Sequence, residues 1–253
     1  MLATLALPAM VWALAPSPGP APANGHYATQ PGWAELVISF DGTQRRFALD
    51  TQQRNGHSCS LAGVLQFQGS QLLARTVLPD APVCQLELVP QAGGWRTRVL
   101  DPAVCRQHCG LQAEVAGLFL PLPDACRWNA REQARASFRQ YYDRRSYTQA
   151  LAVLDQLQGQ CGAFIDWLEA DAIANDRAIT QFRLGQPLQC LRTLGRTRMA
   201  SVDGELPLEQ LRTQLQLSRL EHQAYLPVAR ATLYNRNKCQ QALAVVAGTA
   251  GRQ

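Results

Sequence analysis

The sequence predicts an α+β protein, an N-terminal antiparallel β-meander or small barrel followed by pairs of helices, and three observations carry that expectation. Between residues 34 and 121, apolar and polar residues alternate at a period of two, interrupted by Gly-containing turns. After Cys126 the apolar spacing lengthens to that of a helix, with stops at Gly185-Gln186-Pro187 and before Pro227. Five of the eight cysteines (Cys59, Cys84, Cys105, Cys109 and Cys126) lie in the first half, and only Cys161, Cys190 and Cys239 in the second. Covalent stapling is therefore densest where strands are expected, and the hexapeptide Cys105-Arg106-Gln107-His108-Cys109-Gly110 sits near the handover.

The 253 residues suffice for two domains of ordinary size, and a hydrophobic content of 47% is normal for a folded chain. Residues 1–23 read as a signal peptide: Met1 to Ala15 is apolar and uncharged, and Ala21-Pro22-Ala23 supplies small residues after it, although a basic leading segment is missing. That apolar run, about fifteen residues with Pro8 inside, is short for a membrane span of about twenty, so no stable insertion is expected after processing. Export and an even cysteine count support each other, because disulfides persist in oxidising compartments. The expected location is the periplasm. Of 24 basic residues only Lys238 is Lys, and the arginines are scattered without the stripe and interleaved aromatics that would track a phosphate backbone. A nucleic-acid partner is not expected.

Residues 24–33 read as a linker, and residues 34–126 as the disulfide-bonded β-domain. Leu36, Ile38 and Phe40 alternate with polar neighbours, Asp41-Gly42 reads as a two-residue hairpin turn, and Arg46 to Leu49 returns. After the turn at Asn55-Gly56-His57-Ser58, one face of the next strand carries Cys59, Leu61, Leu65 and Phe67. Leu72 to Leu78, then Cys84, Leu86 and Leu88, then Trp95, Thr97 and Val99 after Gly93-Gly94 continue the alternation, making about seven strands. Cys105 and Cys109 each reach one of Cys59 and Cys84, in either combination. Cys126 and Cys161 flank the first helical pair, which leaves Cys190 and Cys239 for each other.

Residues 127–253 read as the helical domain. Asn129 to Glu132 offers a capping box for a helix with Ala130, Ala134, Phe138 and Tyr141 near one face. Ser146 opens a second helix, a third carries Phe164 to Ile179, and Pro187 suits the first turn of a fourth. Asp203-Gly204 reads as a turn, Pro207 to Ala224 as helix, and Val228 to Tyr234 and Lys238 to Val246 as the last pair. An internal repeat runs through these elements. Gln149-Ala150-Leu151-Ala152-Val153-Leu154 recurs as Gln241-Ala242-Leu243-Ala244-Val245-Val246, each seven residues after a tyrosine, Tyr142 or Tyr234. At an offset of 40, Phe182, Gly185, Cys190, Leu191 and Leu194 match Tyr142, Arg145, Ala150, Leu151 and Leu154. This pattern resembles tetratricopeptide helical hairpins, which stack because none buries its apolar face alone. The resemblance implies a concave face lined by the first helix of each pair, with Arg135, Arg139, Asn175, Arg183 and Arg230 as candidate partner-binding residues.

No catalytic, cofactor or metal site is expected. The chain lacks a nucleophile elbow, a phosphate-cradling glycine loop and a paired-histidine zinc helix. His57, His108 and the neighbouring thiols could be written as a zinc site, but in an exported chain the thiols are expected to be oxidised. Asp166, Glu169, Asp171 and Asp176 read as a solvated face or a helix-pairing surface for arginines. Asn55 to Cys59, Cys84, Cys105-Arg106-x-x-Cys109-Gly110, Gly117 and Cys126 together resemble exported proteobacterial proteins associated with the LprI-type lysozyme-inhibitor families. The expected function is non-enzymatic binding of an envelope protein or peptide through the helices. The resemblance implies an alternative, inhibition of a lysozyme-like cell-wall hydrolase by the β-domain.

Overall fold

The computed structural model describes residues 21–53, 56–77, 80–110, 113–202 and 207–250, with backbone only at 246–250. Most of the expected signal peptide, Asn55, Leu78 and the Asp203-Gly204 turn lie outside the described residues.

Eight antiparallel strands form a closed up-and-down barrel: β1 Gly25–Ala28, β2 Ala34–Phe40, β3 Arg45–Gln52, β4 Ser58–Gln68, β5 Gln71–Thr76, β6 Gln85–Gln91, β7 Gly94–Val99 and β8 Gly117–Pro121. Closure is made by β1 against β8, through Tyr27 opposite Pro121 and Ala28 opposite Leu120. The stretch expected as a linker therefore contains a strand, and the barrel begins before residue 34. Four residues with one buried aromatic gave the alternation too little length to register; β1 is fixed by its neighbours on both sides. Inward positions repeat every second residue, with Leu36 and Ile38, Phe47 and Leu49, Leu61 and Leu65, and Leu86 and Leu88 filling the interior with Trp95 and Phe119. Phe67, expected on that face, is exposed near the end of β4.

Turn chemistry sets the register. The β2–β3 connection spans four residues, Asp41 to Gln44, because Phe40 pairs with Arg45. The Asp41 carboxylate accepts the backbone N–H groups of Thr43 and Gln44 and the Thr43 hydroxyl, and Arg46 donates to its other oxygen at 3.0 Å. These donors hold its pKa well below the usual carboxylate range. A two-residue turn joins β6 to β7 through Ala92 and Gly93, both at positive φ, the geometry that matches the twist of paired strands.

One end of the barrel is closed by the segment between β7 and β8, where the short helix α1, Pro102–Cys105, is started by the Asp101 carboxylate accepting from Ala103 and Val104. A 3₁₀ turn, Arg106–His108, follows. Cys84–Cys105 and Cys59–Cys109 fasten this segment to the strands, so the pairing left open by the sequence is settled.

The helical part contains α2 Trp128–Asp143, α3 Tyr147–Cys161, α4 Trp167–Arg183, α5 Pro187–Leu194, the single turn α6 Leu211–Gln214 and the long α7 Arg219–Ala250. α2 pairs with α3 and α4 with α5, α3 packs on α4, and α7 lies against both α4 and α5. The two pairs turn identically. Arg145 and Gly185, 40 residues apart, both have positive φ, and each turn closes with the same two bonds: Arg145 N–H to Tyr142 O and Ser146 N–H to Tyr141 O, Gly185 N–H to Phe182 O and Gln186 N–H to Gln181 O. Behind each turn the equivalent pairs Ala150 and Leu154, Cys190 and Leu194 are buried.

Three expectations are corrected here. The Asn129–Glu132 capping box does not form: Arg127 occupies the cap without a side-chain bond, and the Asn129 side chain accepts from Ala130. The helix foreseen from Pro207 to Ala224 is broken into a 3₁₀ turn, α6 and a left-handed residue at Gln216. The last pair is one continuous helix, so Tyr234 and Gln241 stand on a single rod although Tyr142 and Gln149 flank a turn. Pro227 lies inside that rod. Pro227 and Gln223, whose carbonyl loses its N–H partner, are both exposed on the solvent side, which keeps the break affordable. Cys126–Cys161 and Cys190–Cys239 complete four disulfides, leaving no free thiol among the described residues. Such a set belongs to an oxidising, extracytoplasmic setting. No described helix is long and apolar enough to cross a membrane.

The helices cover the outer face of the closing strands. Ala28, Leu120 and Leu122 pack in one apolar cluster with Phe138, Leu154 and Phe164, so the boundary drawn at 126/127 cuts through a shared core.

Candidate functional site

Residues separated by three and four positions lie on one face of a helix, and three such stripes come together on α2, α4 and α7. On α2 the stripe is Arg135, Arg139 and Tyr142; on α4 it is Asp176, Ile179 and Arg183; on α7 it is Arg230, Tyr234 and Lys238. Arg135 donates to the Asp176 carboxylate at 3.2 Å, linking the first two stripes. Arg139, exposed, adds its charge to the surroundings of that carboxylate. Arg183 is hydrogen-bonded to the Tyr142 hydroxyl, with Tyr147 and Tyr234 nearby, linking the second stripe to both others.

An exposed patch of cations and rings results. The Arg183 guanidinium lies 5.9 Å from the Phe182 ring centroid, Lys238 lies 5.5 Å from that of Tyr234, and Tyr142 meets Tyr147 edge-on at 5.3 Å. Tyr234 remains 60% exposed. Arginine and tyrosine are among the residue types enriched at protein-binding hot spots.

Of the five candidate partner-binding residues, four reach this face, with Arg230 exposed one turn before Tyr234. Asn175 does not. It is 5% exposed and donates from its amide to Asp171 O, Val228 O and the Thr232 hydroxyl, while the Asn235 amide donates to both its backbone and side-chain oxygens. This network joins α4 to α7, and a buried amide must find such partners because no water can serve it. Phe182, Tyr142 and Tyr234 share this face but are not among the candidates read from the sequence, although the repeat aligns them; an aromatic at a helix end reads equally well as packing.

The acidic residues of α4 serve its neighbours. Asp166 accepts from Leu168 and Glu169 as the helix cap, Glu169 pairs with Arg131 of α2 at 3.4 Å, and Asp171 accepts from the Tyr225 hydroxyl at 2.7 Å and Arg198 N–H at 2.9 Å. Burial raises the pKa of Glu169, Asp171 and Asp176, and their cationic or hydrogen-bonding partners only partly oppose it. Burial, then the Asp171 carboxylate, likewise pushes the Tyr225 hydroxyl far above its ordinary value.

Comparison of the chain with family models, curated proteins and solved structures finds no match.

Proposed function

We propose that the chain is a non-enzymatic binding protein of the periplasm that takes an envelope protein or peptide on the face shared by α2, α4 and α7. The observation that carries this reading is the convergence of Arg183, Tyr142 and Tyr234 from three helices that are not consecutive in sequence. The arrangement resembles tetratricopeptide hairpins, a reading supported by the matching turns at Arg145 and Gly185 and by α7 lying where a third hairpin would begin. Arginine binds carboxylates through a planar fork, so the favoured ligand is an acidic segment or a free C-terminal carboxylate.

Labelled acidic peptides with a free C-terminus, compared with amidated versions, test this directly. The free-acid series should bind more tightly, and changing Arg139 and Arg183 together to Ala should weaken it by at least about 1 kcal/mol, the lower range for a charge-assisted bond, with an unchanged melting temperature. Equal binding of both series, or indifference to the double substitution, rules this face out. If inhibition of a lysozyme-like hydrolase were then found and were lost on altering His57–Cys59, the function would move to the barrel.

A further inference from the structure

We propose a second, separate ligand site: the cleft between the outside of the barrel and the start of α2 takes a short neutral oligosaccharide. The cleft has a volume of about 380 Å³, within the range of small-ligand pockets and too small for a folded partner. Its barrel wall is a ladder of outward-facing polar residues. Glu35 of β2 stands opposite Asp50 of β3, which stands opposite Ser60 of β4, and one step along Gln52 stands opposite Ser58. Its helix wall carries Trp128, the first residue of α2, 65% exposed. Trp33, half-buried against the barrel core, lines the base.

The charges select the class of ligand. Two carboxylates directly opposite each other on adjacent strands repel, a cost that strands ordinarily avoid, and they would repel an anion as well. A cation is poorly served too. His26 already pairs with Glu35, the Ser60 hydroxyl donates to Asp50, and the Arg131 guanidinium forms part of the opposite wall. Arg131 offers the ligand little, since it donates to Phe164 O at 3.1 Å and pairs with Glu169; its cation lies 5.7 Å from the Trp128 ring centroid, supporting one side of the indole. A neutral ligand with many hydroxyl donors and an apolar ring face fits what remains: carboxylates and a Gln amide accept and exchange hydroxyl bonds, and an exposed indole stacks on a pyranose.

The oxidised full-length protein is titrated with chitotriose, cellotriose and maltotriose, following heat and tryptophan fluorescence. Saturable binding of at least one trisaccharide is expected, with a fluorescence change that Trp128→Ala removes while weakening binding at least about tenfold. Asp50→Asn should weaken it by a similar factor, as for loss of a bond to a charged acceptor. Both residues are exposed, and an unchanged melting temperature will show that each variant folds. The Arg139/Arg183 double substitution should leave sugar affinity unaltered, which separates this site from the helical face. Failure of all three sugars to saturate, binding undiminished in both cleft variants, or tetralysine binding in their place overturns the proposal.

Discussion

Three carboxylates of α4, buried Asp171 and half-buried Glu169 and Asp176, titrate against the usual direction of acid denaturation. A carboxyl whose pKa is raised on folding binds its proton more tightly in the folded state, so its contribution to stability falls as pH rises through the interval between the ordinary and the raised value. Glu169, Asp171 and Asp176 all have that sign, and the window lies above the ordinary carboxylate range. Asp41 has the opposite sign, its contribution being lost as pH falls through the region below that range. Stability measured by denaturant melts should therefore rise on moving from neutral pH down toward the ordinary carboxylate values. Asp171→Asn should flatten part of that slope, since an amide oxygen can still accept from Tyr225 and Arg198 without carrying charge. An unchanged slope in this variant would assign the effect to Glu169 and Asp176. Backbone geometry gives a second residue-scale test. Arg145 occupies the left-handed position that Gly185 fills in the equivalent turn, and a side chain there costs about 1 kcal/mol. Arg145→Gly should raise the melting temperature and Gly185→Ala lower it.

At the scale of elements, the 40-residue repeat was legible and the 92-residue one misleading. The first relation includes the turn itself: an aromatic, a left-handed residue, then buried small and leucine positions, all of which the backbone reproduces. The second copies only Gln-Ala-Leu-Ala-Val and an upstream tyrosine, and between Tyr234 and Lys238 nothing stops a helix, so α7 runs through. Pro227 was read as a stop because local propensity opposes it; tertiary packing of Tyr225 and Ala229 on either side overrides that preference. The shared position of Arg135, Arg139, Arg183 and Arg230 on one face was legible in the sequence and the burial of Asn175 was not, because the stripe of polar residues on α4 does not reveal which side α7 will cover. Cys190–Cys239 ties the middle of α5 to that rod, across 49 residues of chain. Replacing both cysteines with Ala should cost about 2–4 kcal/mol in a denaturant melt, a loss comparable with other disulfides closing loops of such length. A loss near zero would mean that packing of Ala178 and Leu194 alone fixes α7.

Across the whole molecule, barrel and helices are bound by a contact that neither half's sequence advertises. The alternation of β1 and β8 sends Tyr27 and Phe119 inward, and Ala28 and Leu120 outward into the helical core, so strands read as half-solvated are covered on both faces. The Gly32 backbone comes so close to the 3₁₀ turn Gly162–Phe164 after α3 that an added Cβ would clash with Phe164 O, the same oxygen that accepts from Arg131. That obstacle is backbone, which cannot swing aside as a side chain can. Gly32→Ala must therefore part barrel from helices, strain Arg131 away from its acceptor and open the Ala28–Phe164 cluster. A loss of about 1–3 kcal/mol is expected, the usual range for forced overpacking. The unfolding profile should also change form, since four disulfides keep each half knit while the shared core between them weakens. Melting followed separately by near-ultraviolet and far-ultraviolet circular dichroism should give coincident curves for the parent chain and diverging curves for this variant. Coincident curves at an unchanged midpoint would mean that the two halves tolerate separation and that their contact contributes little to the fold.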